Sequence, residues 1–178
     1  MENILKKIRV EINPDIYLKD PFSSELGKDI ILKSVSMMQE LGFEQFTFKK
    51  LSSKIDCTES AIYRYFENKH KLLLFLNSWY WGYLEQNFVF GTANLTDPFQ
   101  KLEIAIKILV NGPIFTQNDF IDPVSLRKLI TDEANKAIMT KEVDEEYQKG
   151  FFNHFNKLSE RIADIILEIN PEFEFPKT

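Results

Sequence analysis

The sequence predicts an all-α protein, with a small three-helix domain of the helix-turn-helix kind near its start and a larger helical bundle after it. Glycine is sparse, with 6 residues in a chain of 178, and turn signals lie far apart. Between them apolar residues recur at steps of three and four, as on the buried face of an amphipathic helix. We therefore expect an N-terminal arm over 1–23, a helix-turn-helix domain over 24–70 and a bundle over 71–178.

The composition narrows the class of protein. With 44% hydrophobic and 28% charged residues the chain matches ordinary globular proteins, which argues against disorder. No apolar run approaches the roughly 18 residues that a membrane-spanning helix requires, and the first residues lack the pattern of a signal peptide. The single cysteine, Cys57, cannot form an internal disulfide and fits a reducing compartment. We expect a cytoplasmic protein with no membrane partner.

Charge is unevenly distributed along the chain. The net charge is −5, yet residues 47–71 carry 6 basic against 3 acidic side chains. Residues 72–178 carry 10 basic against 16 acidic side chains. An acidic body with one basic segment suits a protein that touches a polyanion at one place, and equally a protein with ordinary charged helix surfaces.

The first helix is predicted to begin after an arm that contains two prolines and a short basic stretch at Lys6, Lys7 and Arg9. Ser23 or Ser24 can cap its first amides. Its apolar face follows from the spacing of Leu26, Ile30, Ile31, Ser34, Met37, Met38 and Leu41. Gly42 is then well placed to end the helix in a left-handed conformation.

Two short helices follow, with Thr47 and Thr58 as their N-cap residues. In the second of these helices Ile62 and Phe66 lie four residues apart and are predicted to face the core. The opposite side is predicted to show Ser60, Ala61, Arg64 and the hydroxyls of Tyr63 and Tyr65. Two short helices joined by about three residues, the second with a small, polar and basic surface, form a helix-turn-helix arrangement.

Four longer helices are predicted after this pair. Asn68 caps the first of them, which runs over 69–90, and the next covers 99–112. Asp122 and Pro123 begin a helix that extends to residue 139, and Thr140 caps the last, over 141–169. Residues 114–121 are ambiguous.

The stretch "FTFKKLSSKIDCTESAIYRYFENKHKLLL" resembles the tetracycline-repressor (TetR) family of bacterial transcription regulators. The family pattern has a threonine that opens the second helix and a Val/Ile–Ala pair inside it. A Gly-Val-Ser turn, a Tyr-x-Tyr-Phe run and a lysine at the head of the fourth helix follow. The positions that match are Thr47, Leu51, Ser52, Thr58, Tyr63, Tyr65, Phe66 and Lys69. Asp56 stands where the family has a turn glycine, and aspartate enters left-handed conformations more readily than most residues.

The resemblance implies a double-stranded DNA partner and a set of contacts. Hydroxyl and ammonium groups can hold phosphates, and the residues implied for this role are Thr47, Thr58, Tyr63, Tyr65 and Lys69. The residues that would face base edges are Ser60, Ala61 and Arg64. Glu59 could accept from a cytosine amino group. Lys49 and Lys50 fit DNA contact and a solvated helix face equally well.

The resemblance also implies a homodimer that binds a palindromic operator and is released by an unknown small-molecule effector. The aromatic residues Trp79, Tyr80, Tyr83 and Phe88 are candidate walls of an effector pocket, with core packing as the alternative. For the dimer we expect two apolar stripes to pair with their copies. They comprise Val124, Leu126, Leu129 and Ile130 on one helix, and Phe151, Phe155, Leu158, Ile162 and Ile165 on the other.

An enzyme is the weaker alternative. A di-iron carboxylate bundle needs two Glu-x-x-His pairs, and one such pair, Glu67 with His70, is present, whereas His154 lacks a glutamate three residues before it. The acidic side chains of 142–146 are predicted to form a solvated helix start. No Gly-rich phosphate loop occurs, so we expect no catalytic residues, metal or cofactor. A helical interaction module without DNA binding is the other alternative.

Overall fold

The computed structural model describes residues 10–112, 121–138 and 141–176, and over these ranges the protein consists of helices without strands. Two short 3-10 turns come first, at Pro14–Ile16 and Pro21–Ser23. The α-helices of the described ranges are α1 (Glu25–Gln45), α2 (Phe48–Lys54), α3 (Glu59–Tyr63), α4 (Lys69–Thr92), α5 (Pro98–Asn111), α6 (Pro123–Ile138), α7 (Val143–Gln148) and α8 (Asn153–Ile169). None of these helices is both long and apolar enough to cross a membrane.

The first four helices begin at the residues that the sequence predicts. In each case the side chain of the N-cap residue accepts a hydrogen bond from the backbone amide three positions further on, at 2.8 to 3.2 Å. These caps are Ser24, Thr47, Thr58 and Asn68. Each cap satisfies one of the amides that a helix start leaves without a partner.

Helix α1 is interrupted near its end and then continues for one turn. Gly42 leaves the helical conformation with a φ of 76°, as predicted, but helical residues resume up to Gln45. The amide of Phe43, beside the break, donates to the Glu133 carboxylate of α6 at 3.2 Å. Helix α6, which lies in the C-terminal part of the chain, therefore supplies a hydrogen-bond partner for this amide at the break in α1.

Helix α4 forms the centre of the molecule. Residues 72–80 are buried without interruption, so this helix has no solvent face along its first half. It packs against α5, α6 and α8. Because neighbours cover it on several sides, its burial exceeds that of an amphipathic helix with one apolar stripe.

Helix α6 lies between α1 and α4, which changes the expectation for the dimer. The stripe residues that pack inside the monomer are Leu126, Leu129, Ile130, Phe151, Leu158 and Ile165. Their prediction as interface residues is wrong because the monomer core already occupies these side chains. Val124 and Phe155 are exposed, with 70% and 44% of their surface accessible.

The last predicted helix is two helices in the structure. Gly150 adopts a φ of 79° between α7 and α8, and this left-handed residue turns the chain. A Cβ atom at Gly150 would lie 2.6 Å from Nδ2 of Asn153, so a larger residue at this turn would also have to displace the Asn153 side chain. The predicted cap Thr140, the basic stretch of the arm and most of 114–121 lie outside the described residues.

Candidate nucleic-acid interface

Helices α2 and α3 are held against the core by a small set of side chains. Leu51, Ile62 and Phe66 are completely buried. The turn between the helices passes through Asp56, whose φ of 53° is the left-handed conformation expected at the place of the family glycine. Burial together with the Asp56 carboxylate raises the pKa of the adjacent Cys57 thiol, which is therefore a poor nucleophile.

The opposite side of the helix pair is exposed and polar. The predicted site residues that are exposed there are Thr47, Lys49, Lys50, Thr58, Ser60, Tyr63 and Arg64. The ring of Tyr63 packs edge-on against Phe48 at 5.1 Å, and 47% of the residue stays accessible. Glu59 is half-buried in the first turn of α3, where its charge favours the helix dipole.

Two predicted site residues point the other way. Ala61 is 6% exposed and Tyr65 is 3% exposed, so their assignment to the exposed side is wrong. Tyr65 lies three residues after Ile62 and four after Ala61, so helical spacing itself places it on the buried side, and the DNA contact implied by the resemblance does not fit that spacing. The Tyr65 hydroxyl lies 2.7 Å from Oγ of Ser24 and accepts from Nζ of Lys19 at 3.3 Å. The hydrogen bond with Ser24, followed by the contact with Lys19, lowers the pKa of Tyr65.

Two lysines of the predicted site hold the end of α1. Nζ of Lys69 donates to the carbonyls of Phe43 at 2.9 Å and Glu44 at 3.0 Å, and it lies 4.5 Å from the centre of the Phe43 ring. Nζ of Lys50 donates to the carbonyl of Gln45 at 2.8 Å. Both ammonium groups thus join the second and fourth helices to the last turn of the first.

The four aromatic candidates for an effector pocket lie in the body of α4. Trp79, Tyr80 and Phe88 are buried, and Tyr83 is half-buried. The Trp79 ring packs against Phe22 at 5.0 Å. Burial raises the pKa of Tyr80, so its hydroxyl stays neutral and can act as a polar anchor.

A cleft between α4 and α7 contains a contact that the sequence did not indicate. Glu146 was predicted to be solvated, but it is 4% exposed and lies 3.0 Å from Nε2 of His70 and 3.4 Å from Nζ of Lys71. The cleft has a volume of about 540 Å³ and lies beside the first turn of α4. His70 is thus a hydrogen-bond partner of Glu146. Among the described residues no three His, Cys, Asp or Glu side chains cluster to hold a metal ion.

Two capped short helices around a tight turn, with one apolar side and one polar side, define a helix-turn-helix DNA-binding domain. Residues 30–75 match the family model described as bacterial regulatory proteins, tetR family. The protein is therefore a DNA-binding transcription regulator with a tetR-family domain near its start, followed by further helices. No curated protein and no solved structure matches the chain significantly.

Proposed function

We propose that the protein is a homodimeric repressor of transcription in the bacterial cytoplasm, and that a small apolar ligand releases it from a palindromic operator. The observation that carries this proposal is the polar side of α2 and α3, where Ser60 and Arg64 are exposed together. Ser60 is small enough to let the helix approach the base edges. Arg64 can form a forked pair with guanine.

The residues around this pair are proposed to position the domain on the duplex. Thr47, Thr58 and the Tyr63 hydroxyl are exposed donors for phosphate oxygens, and such contacts set the register without reading sequence. Lys49 and Lys50 add positive charge. Lys69 has a third N–H beside the two that hold carbonyls, and this hydrogen can meet a phosphate. Ala61 and Tyr65 support the surface from behind.

A selection experiment tests DNA binding directly. Duplexes enriched from a random pool by the wild-type protein should contain a palindrome whose half-sites lie about one helical turn apart or slightly more. Affinity for the enriched duplex should fall steeply with added salt, because phosphate contacts release counterions. Arg64→Glu, with unchanged helical content, is the control and should abolish enrichment. If the wild type enriches nothing at low salt, the proposal fails and the helical interaction module remains.

The dimer is proposed to use apolar residues that the monomer leaves exposed. On α5, Phe99, Ile106 and Val110 recur on one face and are 65%, 53% and 58% exposed. A symmetric contact between two copies would bury this face, because most soluble homodimers pair the same patch of both subunits.

Two charge substitutions test this interface. Ile106→Lys should shift sedimentation at micromolar concentration from dimer to monomer, because a lysine would be desolvated at the contact. Val124→Lys, at a more exposed position on α6, is the matched control and should leave the dimer intact. A wild-type monomer at this concentration would contradict the dimer.

The release step is proposed to involve the aromatic residues of α4. A ligand shifts an equilibrium only if it binds one state better, and α4 links the proposed pocket to the DNA-binding helices. Apolar compounds that raise the melting temperature of the wild type should also weaken its binding to the enriched duplex. Trp79→Ala should alter that response while ligand-free DNA affinity stays within about tenfold, or 1.4 kcal/mol. An unchanged response would show that Trp79 is only a core residue.

A further inference from the structure

Residues 10–24, here called the strap, cross the molecule from its C-terminal helices to the end of α3. Three of its apolar side chains, Val10, Ile12 and Ile16, are 5%, 6% and 1% exposed. Asn13 and Asp20 cap the two 3-10 turns with their own side chains. The strap is therefore an ordered, packed element rather than a loose leader.

One end of the strap is fastened to α8. Nε2 of His154 lies 2.8 Å from the backbone carbonyl of Glu11. A carbonyl only accepts, so this nitrogen carries the hydrogen. The other ring nitrogen, Nδ1, lies 2.8 Å from Oε2 of Glu85, whose second oxygen faces Nε of Arg161 at 3.5 Å. The imidazole is thereby fixed between α4 and the strap.

The packing on α4 is shaped for this contact. Gly82 faces the fastening point, and a Cβ atom there would lie 2.3 Å from Cγ1 of Val10 and 3.0 Å from Cδ2 of His154. Nearer the middle, Nδ2 of Asn13 donates to the carbonyl of Lys149 at 2.8 Å. The strap thus has backbone or side-chain bonds to both segments that flank the Gly150 turn.

The other end of the strap is fastened directly after α3, the proposed recognition helix. The amide of Leu18 donates to the carbonyl of Tyr65 at 2.8 Å. Lys19 and Ser24 hold the hydroxyl of the same tyrosine. Tyr65 follows Arg64 in sequence, so the strap fixes the backbone next to the side chain that is proposed to read a base.

We propose that the strap is a second mechanical connection, beside α4, between the C-terminal helices and the recognition helix, and that His154 is its positioning residue. This inference rests on the proposed function, because its purpose is to hold Arg64 in the orientation that reads DNA. It also assigns a role to Tyr65, which receives the strap instead of a phosphate. The strap lets a rearrangement near α8 reach Arg64 without passing through the start of α4.

The most direct test removes one backbone hydrogen-bond donor of the strap. Leu18→Pro deletes the amide that donates to Tyr65, and Tyr17, with φ −133° and ψ 155°, already has the backbone that a residue before proline prefers. The Leu18 side chain is 66% exposed, so Leu18→Ala is a matched control that keeps the amide. Leu18→Pro should weaken binding to the enriched duplex about fivefold to tenfold, the equivalent of one hydrogen bond. Binding to random duplex should stay within about twofold, since phosphate contacts do not depend on the orientation of Arg64.

The second test acts at the far end of the strap. His154→Ala should produce the same selective loss, and His154→Gln should restore most of it, because the glutamine amide can donate to Glu11. Lys157→Ala, at an exposed position one turn along α8, is the control. The losses of Leu18→Pro and His154→Ala should not add in the double variant, because both release one element.

Hydrogen exchange gives a readout that does not require DNA. The amides of residues 60–66 should exchange about tenfold faster in His154→Ala than in the wild type or in Lys157→Ala, since the strap no longer holds them. Unchanged exchange of these amides, or additive and equal losses for enriched and random duplex, would overturn the proposal. Failure of the wild type to enrich any duplex would refute the proposed function, and the exchange experiment would still decide whether the strap couples α8 to α3.

Discussion

Helices α3 and α4 follow each other in the chain and differ in length and in burial. α3 has five residues, of which Ala61 and Ile62 are buried. α4 has 24 residues and is buried without interruption over 72–80. A five-residue helix is too short to be stable by itself, so its conformation depends on its cap and on neighbours. The long helix, by contrast, is the element on which the neighbours assemble.

The contrast separates residues that serve recognition from residues that serve the fold. Along α3 an exposed polar side chain such as Ser60 does not contribute to the core and can contact a partner. Along α4 even polar positions such as Asn77 and Ser78 are buried. A substitution on the exposed side of α3 should therefore change DNA binding with little effect on stability. A substitution in α4 should lower stability first.

The largest effect should come from Phe75 of α4. This fully buried ring meets the rings of Tyr17, Phe22 and Phe66 at 5.8, 5.7 and 5.4 Å, so it joins two points of the strap to the segment after α3. Phe75→Ala should lower the free energy of unfolding by about 3–5 kcal/mol through lost contacts and a cavity. Denaturant titration measures this loss.

Val89→Ala provides the control for the Phe75 substitution. Val89 lies on the same helix and is 37% exposed, so its truncation should cost no more than about 0.5 kcal/mol. Equal losses for the two variants would show that α4 is not the packing centre.

The next effect concerns recognition. Arg64→Ala should weaken binding to the enriched duplex by about 1–3 kcal/mol, with the loss confined to one base position, while the unfolding free energy hardly changes. Competition with duplexes substituted at each position measures it. Arg64→Lys keeps the charge but not the forked geometry and should recover little. A uniform loss over all positions would make Arg64 a phosphate contact.

A smaller effect should follow from the cap of α3. Thr58→Ala removes the hydroxyl that accepts from the Ala61 amide at 3.2 Å, which should cost about 1 kcal/mol of stability. Thr96→Ala, in the exposed loop before α5, is the control and should be nearly neutral. Equal melting temperatures for the two variants would mean that packing alone holds α3.

The smallest effect should come from the turn before α3. Asp56→Gly should raise stability by about 0.5 kcal/mol, because glycine adopts the positive φ without the steric cost of a Cβ. Asp56→Ala keeps the Cβ and should lower stability instead. Both variants should also lower the pKa of Cys57, whose increase owes its smaller part to the Asp56 carboxylate and its larger part to burial. Thiol reactivity measured against pH detects this change.

Features fixed by neighbouring residues could be predicted from the sequence. The caps at Thr47, Thr58 and Asn68 combine a suitable side chain with an amide three residues away, so a short window of sequence contains all of the interaction. The left-handed conformation of Asp56 could also be predicted, because Asp56 occupies the position of the family's turn glycine. The break at Gly150 also has a local signal in the sequence, which is the glycine itself inside the predicted helix.

Features that join distant residues could not be predicted in this way. Burial of Glu146 depends on His70 and Lys71, some 75 residues earlier in the chain. The hydroxyl of Tyr65 is bound by Lys19 and Ser24, more than 40 residues earlier in the chain. The sequence indicates the strap only by the alternation of Val10 and Ile12. This apolar pattern is too short to distinguish a packed segment from an ordinary arm.

The ammonium groups of Lys50 and Lys69 have a consequence for ions in solution. Their side chains hold the last carbonyls of α1, which form the negative end of that helix dipole. A helix end that would repel a polyanion is thereby made positive. When the protein binds, the lysines at this end of α1 should displace further counterions from the DNA. The DNA affinity should therefore fall more steeply with ionic strength than it would if α3 alone contacted the phosphates.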